Sequence, residues 1–334
     1  MKISASIFAQ NQKTIDELVA ELQKIGVTML HVDWKGEADV IVFLEENLSH
    51  LTLPLDVHLI HAQPQQFFSS LSAIKPQRVC LQFEEMNSID SVFFSLPALK
   101  GMAITTQTHI STLGSALIEQ LDFVMLMCTT PGASGGKFQK ENFQKINQLK
   151  YEYPNLSITI DGGVNSEVAF ILRLLGVDTI VSGSYLMDKS EYGANMLNLL
   201  RPYAGETFCV KDFMVKKAYL PILKTGTFSF KEAVQKIEDY KSGYVLIEDE
   251  NGRFCGIVSN ADVRKTMLKH WTNLDGIAES DFVNATPFSV NENATVREML
   301  KTIEAIGRVI LFLPVINNNN ELTGLVPLNN LAKG

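Results

Sequence analysis

The sequence predicts an α/β fold, a (β/α)8 barrel followed by a smaller α+β domain. Three observations support this prediction. The chain of 334 residues is long enough for two domains. Short apolar runs alternate with helix-length segments up to about residue 200, and the chain beyond contains two similar β-α-β segments. Hydrophobic residues make up 46% of the chain, so each domain can bury a core.

The first part of the chain repeats a strand and a helix. A helical apolar spacing follows the first strand over residues 14–25, and Gly26 ends that helix. Eight such units in about 200 residues fit a TIM barrel. The alternative is an open doubly wound sheet, but this favours a glycine-rich loop after the first strand, and residues 9–11 contain no glycine. The eight predicted strands are 3–8, 28–34, 55–60, 78–83, 101–105, 123–128, 156–160 and 179–182.

The second part follows a linker at 201–206 and contains a weak internal duplication. The motif Phe-x-Gly-Ile-Val, which begins at Phe254, is echoed by Leu-x-Gly-Leu-Val from Leu322. Two copies are too few for a solenoid, which needs at least about three repeats, so two stacked modules are expected. The predicted domains are 1–203 and 207–334, the latter with modules at about 207–270 and 281–333. The predicted helices of these modules are 230–240, a segment from Asp262, and 296–306, and the strands are 243–248, 254–259, 288–290, 310–316 and 322–326.

Composition excludes several classes of function. The formal net charge is −8 and the isoelectric point is near 5.4, so nothing favours nucleic acid or an anionic membrane as the partner. No apolar run reaches the roughly 18 residues of a membrane span, and the N-terminus does not resemble a signal peptide. The four cysteines lack CxxC spacing and lie in apolar stretches, as reduced core cysteines do. We therefore expect a cytoplasmic protein.

Polar side chains gather at the carboxyl ends of three predicted strands. His31 and Asp33 are two residues apart on the second strand and so face the same side. His58 ends the third strand, and Asp161 ends the seventh, which lies opposite the third in an eight-stranded barrel. Two imidazoles and two carboxylates suit a divalent transition metal such as zinc, iron, manganese or cobalt. The alternative is that each is a hydrogen-bonded polar residue at a strand end, although catalytic residues of barrels collect at these ends.

Small residues form the loops after the last three strands of the barrel. Such loops let backbone N–H groups approach an oxyanion closely, and barrels often bind phosphate after strands seven and eight at a helix N-terminus. Here we expect the residues after the eighth strand to open a helix. The candidate phosphate-binding residues are Gly132, Gly135, Gly136, Gly162, Gly163, Gly183 and Ser184.

These motifs together show a resemblance to a known family. Residues 1 to about 200 resemble ribulose-phosphate 3-epimerase in Ala5-Ser6-Ile7-Phe8, His31-Val32-Asp33, Asp56-Val57-His58-Leu59, Met127 with Pro131-Gly132, Asp161-Gly162-Gly163 and Gly183-Ser184. The resemblance implies that His31, Asp33, His58 and Asp161 bind the metal and that the two aspartates act as base and acid. It also implies that Ser6, Met127 and the loop glycines hold the phosphosugar. The reaction would interconvert D-ribulose 5-phosphate and D-xylulose 5-phosphate through an enediolate, a step of pentose phosphate metabolism.

The chain departs from the family pattern in residues expected to lie over the site, which we call the cover. His-x-Asp-Val-Met-Asp-Gly is usual, but this chain has Trp34-Lys35-Gly36 after Asp33, one residue fewer and without the methionine. The loop Pro131-Gly132-Ala133-Ser134-Gly135-Gly136 is altered, Gln82-Phe83-Glu84 replaces the usual His-x-Glu of strand four, and Ile60 replaces a methionine. These changes leave two alternatives open: an epimerase of another phosphosugar, such as a hexulose 6-phosphate, or a non-catalytic sensor of sugar phosphate or nucleotide.

Residues of about 207–333 resemble a pair of CBS modules. The match is Phe254-x-Gly-Ile-Val-Ser259-Asn260-Ala261-Asp262, whose hydroxyl and aspartate would bind the ribose or phosphate of an adenine nucleotide. The second copy has Pro327-Leu328-Asn329-Asn330 at this place, so one site at most is expected. The alternative is that Ser259 and Asp262 only cap a helix in a structural or dimerising module. Because both families commonly self-associate, we expect a homo-oligomer on the resemblance alone.

Overall fold

The chain divides into two units, Met1–Tyr203 and Ala204–Lys333. The structure is a computed structural model, which describes residues 1–7, 15–132, 135–187, 192–274 and 276–333. Phe8 and Thr14, which lie at the ends of the first predicted strand and helix, are outside the described residues.

The first unit is a closed barrel of eight parallel strands in sequential order, so the predicted TIM barrel is confirmed. Most of the predicted strands agree with the observed ones to within one or two residues at each end. The agreement follows from burial: the apolar runs are the strands, because their side chains are covered on both faces. The strands are β1 (Lys2–Ser6), β2 (Met29–Trp34), β3 (Leu55–Leu59), β4 (Arg78–Gln82), β5 (Leu99–Thr105), β6 (Phe123–Met127), β7 (Ser157–Asp161) and β8 (Thr179–Ser182).

Helices cover the outside of the barrel. In the first of them, Asp16 and Glu17 lie in the first turn and Lys24 in the last, as the helix dipole favours. The connection from β4 to β5 is described throughout and contains a 3-10 helix, Ser91–Ser95, instead of an α-helix. The helices are α1 (Ile15–Lys24), α2 (Ala38–Asn47), α3 (Phe68–Ile74), α4 (Ser115–Ile118), α5 (Glu141–Glu152), α6 (Ser166–Leu174) and α7 (Tyr192–Leu200).

The interior of the barrel is apolar in its middle and contains a buried cation near the amino ends of the strands. Arg78 is 5% exposed, and its guanidinium lies 3.8 Å above the centroid of the Phe123 ring. Gly101 pairs with Phe123 in the sheet, and a Cβ atom at Gly101 would lie 2.2 Å from that ring. The absence of a side chain at Gly101 therefore makes room for the ring on which Arg78 lies.

The second unit contains two small sheets, and the second of them includes a strand at 215–216 from the predicted first module. One has the order β10-β11-β12 and the other β13-β14-β15-β9. In each, a strand pairs in parallel across a helix and the following pair is antiparallel. The strands are β9 (Val215–Lys216), β10 (Ile222–Lys224), β11 (Tyr244–Glu248), β12 (Phe254–Ser259), β13 (Val290–Asn291), β14 (Phe312–Ile316) and β15 (Leu322–Pro327).

The longer helices of this unit pack on the sheets, and each begins with a capping box. Phe230, Ala233 and Ile237 are buried on one face of the first of them, because they recur at helical spacing.

No helix in the described part of the chain is long and apolar enough to cross a bilayer. The helices are α8 (Val210–Phe213), α9 (Phe230–Tyr240), α10 (Asn260–Lys269), α11 (Glu279–Phe282) and α12 (Val296–Ile306).

Candidate active site

Four side chains predicted as metal ligands meet at the carboxyl ends of the barrel strands. His31 and Asp33 come from β2, His58 from β3 and Asp161 from β7, and one potential ligand atom of each lies within 4.8 Å of the others. Both histidine side chains are fully buried, whereas those of Asp33 and Asp161 are 27% and 14% exposed. We call these residues the four-residue cluster.

His31 is held by a carboxylate that lies deeper in the barrel. Its Nδ1 is 3.2 Å from Oδ2 of Asp56, which also accepts a hydrogen bond of 3.0 Å from the Ser4 hydroxyl. Nε of Arg78 lies 3.6 Å from the other carboxylate oxygen of Asp56. Because an ionised carboxylate can only accept, Nδ1 of His31 carries a proton and Nε2 faces the cluster.

Nε2 of His31 is the atom that best tests whether a metal ion fits. It lies 3.5 Å from Oδ1 of Asp33 and 3.7 Å from Oδ2 of Asp161, and it has no hydrogen-bond partner among the described residues. A buried nitrogen without a partner, facing two carboxylates, is costly unless a cation or proton joins them. The donor set is nitrogen and oxygen, as divalent transition metals prefer. The residues present therefore fit such an ion.

The acid–base properties of the cluster reflect its excess of negative charge. Burial alone lowers the pKa of His31, but its close contacts with Asp33 and Asp56 and the charges of both raise it well above its usual value. Burial alone raises the pKa of Asp33, but its contacts with His31 and His58 hold it well below its usual range. Burial is the largest cause that raises the pKa of Asp161, to about 6. The proton favoured on His31 neutralises the same carboxylates that a divalent cation would neutralise.

The candidate phosphate-binding residues lie on one sector of the barrel mouth, because β6, β7 and β8 are neighbours. A Cβ atom at Gly163 would lie 2.2 Å from the backbone nitrogen of Phe138, and one at Gly162 would lie 2.3 Å from the Thr129 hydroxyl. Gly136 is similarly close to Thr129, and Gly132 and Gly135 have positive φ angles. Only glycine allows the two loops to approach this closely. Ala133 and Ser134 lie outside the described residues.

Ser6 and Met127 end β1 and β6. Ser6 is half-buried and pairs with His31, whereas Met127 is 2% exposed and pairs with Asp161. Both thus lie beside the cluster at the level of its ligands. Their contact with a substrate stays a prediction.

The expected helix at Gly183 and Ser184 is wrong. The Met187 N–H donates to the Gly183 carbonyl and closes one turn, but residues 184–187 form a turn, and the next helix in the described part of the chain begins at Tyr192. Gly183 is half-buried and Ser184 is exposed.

Two residues at the altered cover have different environments. Trp34 is 1% exposed, donates from Nε1 to the Glu37 carbonyl over 3.0 Å and contacts the Phe67 ring edge-on at 4.9 Å. It therefore fills space inside the protein. Lys35 is exposed, and its ammonium group reaches the glycine of the β6 loop: a Cβ at Gly132 would lie 2.9 Å from Nζ.

Sequence reasoning missed the residues that support the histidines. Asp56 lies two positions before His58 and Ser4 two before Ser6, so strand alternation already places each pair on one face. Gln82 accepts a hydrogen bond from Nε2 of His58 over 2.8 Å, while Nδ1 of the same ring lies 3.0 Å from Oδ1 of Asp33. In the sequence, Gln82 stood out only because it departs from the family pattern of strand four.

In the second unit, Ser259 and Asp262 cap a helix. The Ser259 hydroxyl donates to Asp262 Oδ2 over 2.5 Å, and the Asp262 N–H donates back to that hydroxyl over 3.3 Å at the start of α10. The same arrangement begins α9 at Ser229 and α12 at Thr295. Capping thus accounts for the motif locally, and nucleotide binding by these residues stays a prediction.

Comparisons with known proteins agree with the division of the chain into two units. The model of the ribulose-phosphate 3 epimerase family matches residues 2–187, and the CBS domain model matches residues 210–269 and 280–334. Ribulose-phosphate 3-epimerase of Helicobacter pylori is 32% identical over 206 residues, which are 57% of this chain and 93% of that protein. The chloroplastic ribulose-5-phosphate-3-epimerase of Arabidopsis thaliana is 25% identical over 205 residues, 57% of this chain and 73% of that protein.

Solved structures that contain CBS domains match part of the chain at low TM-scores. A crystal structure of CBSX2 in complex with AMP is 21% identical, with a TM-score of 0.32, and covers 38% of this chain and 94% of that chain. A CBS domain-containing protein from Bacillus anthracis is 12% identical, with a TM-score of 0.33, and covers 38% of this chain and 92% of that chain.

Replacing Arg78 by methionine is expected to destabilise the barrel by about 3 kcal/mol, because it leaves the buried Asp56 carboxylate without its cation. Urea unfolding checks this, with the fluorescence of Trp34 as the signal in a Trp271→Phe background. The double variant with Asp56→Asn should lose less than the sum of the two single changes by about 1 kcal/mol or more. Equal stability of Arg78→Met and the parent protein would contradict the assigned contact.

Proposed function

Since the chain belongs to the ribulose-phosphate 3-epimerase family, we propose that its barrel epimerises a ketose phosphate in a metal-dependent reaction, with D-ribulose 5-phosphate to D-xylulose 5-phosphate as the leading case. The chain is an epimerase that acts on carbohydrates. The observation that carries the finer proposal is the four-residue cluster at the mouth of the barrel. The four free cysteines suit the reducing cytoplasm, where we propose that the enzyme works.

The ligands of the proposed metal ion are Nε2 of His31, Nδ1 of His58 and one carboxylate oxygen each of Asp33 and Asp161. The ion is one divalent transition metal: zinc, iron, manganese or cobalt. When bound, it offsets the negative charge that develops on the two oxygens of an enediolate. The histidines also hold the two aspartates in position, because His31 lies between them and His58 contacts Asp33.

Asp33 and Asp161 are the proposed acid and base. They come from β2 and β7 and reach His31 from different strands, and we propose that the reacting carbon of the substrate binds with one carboxylate toward each face. One carboxylate removes the proton from carbon 3, and the other returns a proton to the opposite face. In the reverse direction the two exchange roles. This chemistry requires two carboxylates, which a simple binding protein does not.

The proposed phosphate site is built from the loops after β6, β7 and β8. Gly135 has a φ angle of +87°, and a Cβ atom there would have no atom within 4 Å from the described residues beyond its chain neighbours. The close glycine contacts between the loops bring backbone N–H groups to one sector of the mouth. Ser6 and Met127, beside the metal ligands, would contact the sugar.

A second candidate substrate is a hexulose 6-phosphate. Lys35 favours it, because this exposed cation reaches from the β2 loop toward Gly132 of the β6 loop. A cation at this place adds a donor over the mouth, where it can contact further hydroxyl groups of a longer sugar. The four proposed metal ligands match the family pattern.

The CBS pair is proposed to bind an adenine nucleotide at Ser259 and Asp262 and to regulate the barrel or mediate assembly into a homo-oligomer. The match of the CBS domain model and the Ser-x-x-Asp motif at the end of β12 support this. The second copy has Asn329 and Asn330 in a 3-10 helix at the corresponding place. One nucleotide site is therefore proposed.

We expect the full chain, loaded with Zn²⁺, Mn²⁺ or Fe²⁺, to exchange the carbon 3 proton of D-ribulose 5-phosphate in D₂O and to form xylulose 5-phosphate. Proton NMR measures both. A chelator should stop the exchange and added metal restore it. Asp33→Asn and Asp161→Asn should each lower turnover by about 10²–10⁴-fold, while the exposed Asp39→Asn is the matched control. Full activity of either site variant would refute its role, and no exchange with any metal would favour another phosphosugar or a sensor.

If Lys35 selects a longer substrate, hexulose 6-phosphates should exchange faster than ribulose 5-phosphate in the same assay. Lys35→Met should then lower kcat/KM for the hexulose by about 10–100-fold and change that for ribulose 5-phosphate little, because one charge-assisted hydrogen bond contributes about 1.5–3 kcal/mol. A pentulose preference in both proteins would exclude the second candidate.

Calorimetric titration of the full chain with AMP tests the CBS proposal. Asp262→Ala and Glu232→Ala each remove a capping carboxylate and should each cost about 1 kcal/mol of stability. Only Asp262→Ala should also weaken AMP binding, by about tenfold or more, since a hydrogen bond between a charged group and a ligand is lost. Equal AMP affinity of the two variants, or no binding by the parent protein, would leave Asp262 as a helix cap alone.

A further inference from the structure

Gln82 is the side chain that contacts Nε2 of His58, the ring nitrogen that faces away from Asp33. It ends β4, is 1% exposed, and lies at hydrogen-bond distance from the imidazole. We propose that Gln82 is a positioning residue that fixes which nitrogen of His58 is offered to the metal ion, and that Glu84 fixes Gln82. The inference rests on the proposed metal site and deepens it.

The orientation of the Gln82 amide follows from its other neighbours. Its Nε2 lies 2.5 Å from Oε2 of Glu84 and 3.3 Å from the carbonyl oxygen of Ala103. Both are acceptors, so the nitrogen end of the amide must face them. The oxygen end then faces Nε2 of His58 at 2.8 Å.

Glu84 is in turn held as an anion at a fixed place. Its Oε1 accepts from the backbone N–H of Thr105 over 2.8 Å and from the hydroxyls of Thr105 and Thr108. Burial alone raises the pKa of Glu84, but the hydrogen bonds from Thr108, Thr105 and Gln82 lower it. The chain of contacts thus runs from the backbone of β5 through Glu84 and Gln82 to His58.

An amide oxygen can accept a hydrogen bond but cannot donate one. Nε2 of His58 therefore keeps its proton in this arrangement, and Nδ1 is the nitrogen left for a metal ion, which would replace the proton that Nδ1 shares with Asp33. Nδ1 is the nitrogen that faces Asp33, 3.0 Å away, inside the four-residue cluster. His31 is held the opposite way round, with its proton on Nδ1 toward Asp56 and Nε2 toward the cluster. Each histidine thus has a buried acceptor that directs its other nitrogen inward.

A histidine in place of Gln82 would keep both functions. One of its nitrogens can accept from His58 while the N–H of the other donates to Glu84. Methionine has a similar length but offers no comparable acceptor and no donor. These two replacements therefore separate the hydrogen bond from the volume of the side chain.

The experiment measures the dissociation constant of Co²⁺ for the full chain by competition with a chromogenic chelator. Gln82→Met should weaken binding by about 10–100-fold, the usual effect of losing a group that orients a metal ligand. Gln82→His should bind close to the parent value. Gln148→Met is the matched control, because Gln148 also donates to a glutamate, Glu152, but on the outer helix α5. Thermal unfolding of each metal-free variant shows whether it is folded.

The outcomes separate this inference from the metal site itself. Equal affinity of the parent protein and Gln82→Met would overturn the role of Gln82 and leave the site intact. Equal losses in Gln82→His and Gln82→Met would also overturn it, since packing would then be the cause. No Co²⁺ binding by the parent protein would overturn the metal site and this inference together.

Glu84→Gln provides a second test if Gln82→Met does not fold. Glu84 uses one oxygen for Thr105 and Thr108 and the other for Gln82, whereas glutamine has a single acceptor oxygen for both. The Gln82 amide should then turn, and Co²⁺ affinity should fall several-fold. An unchanged affinity in Glu84→Gln would overturn the role assigned to Glu84 and with it the chain of contacts.

Discussion

The hydrogen bond between His31 and the buried carboxylate of Asp56 is the contact on which the site depends. A carboxylate with no exposed surface is tolerated only where donors surround it, and here Ser4 and Arg78 accompany His31. Arg78 in turn is buried because it donates to the Thr159 hydroxyl over 2.5 Å and lies on the Phe123 ring. The polar chain therefore begins near the amino ends of the strands and ends at the mouth. The position of His31 in the four-residue cluster therefore depends on these contacts deeper in the barrel.

Much of the fold could be predicted, because apolar runs and turn residues report burial directly. The helix predicted at 230–240 is observed as Phe230–Tyr240, where Ser229 and Glu232 form a capping box that is visible in the sequence. The region after β8 was harder to predict: glycine and serine there suggested a helix N-terminus, but residues 184–187 form a turn. Short polar motifs are compatible with a turn or a helix start, and tertiary packing decides between them.

That the four proposed metal ligands meet could be predicted, because strand alternation and strand ends determine where their side chains lie. The residues behind them could not, because their partners are distant in sequence. Arg78 and Thr159 are 81 positions apart, and no spacing rule joins them. Gln82 was noticed only as a departure from a pattern, and its meaning depended on Glu84, His58 and the Ala103 carbonyl meeting in space. Trp34 shows the same limit: the sequence marks it only as a departure from the family pattern, and the structure shows that its ring is packed inside the protein.

The glycine at position 101 has a consequence for how related chains can diverge. Its missing side chain leaves room for Phe123, whose ring face receives Arg78. A larger residue at position 101 would displace this ring unless position 123 became smaller, and a smaller residue there would remove the surface beneath the cation. We therefore expect positions 101, 123 and 78 to change together or not at all during evolution, so that drift at the cover of the site can proceed while the base of the barrel is inherited as a block.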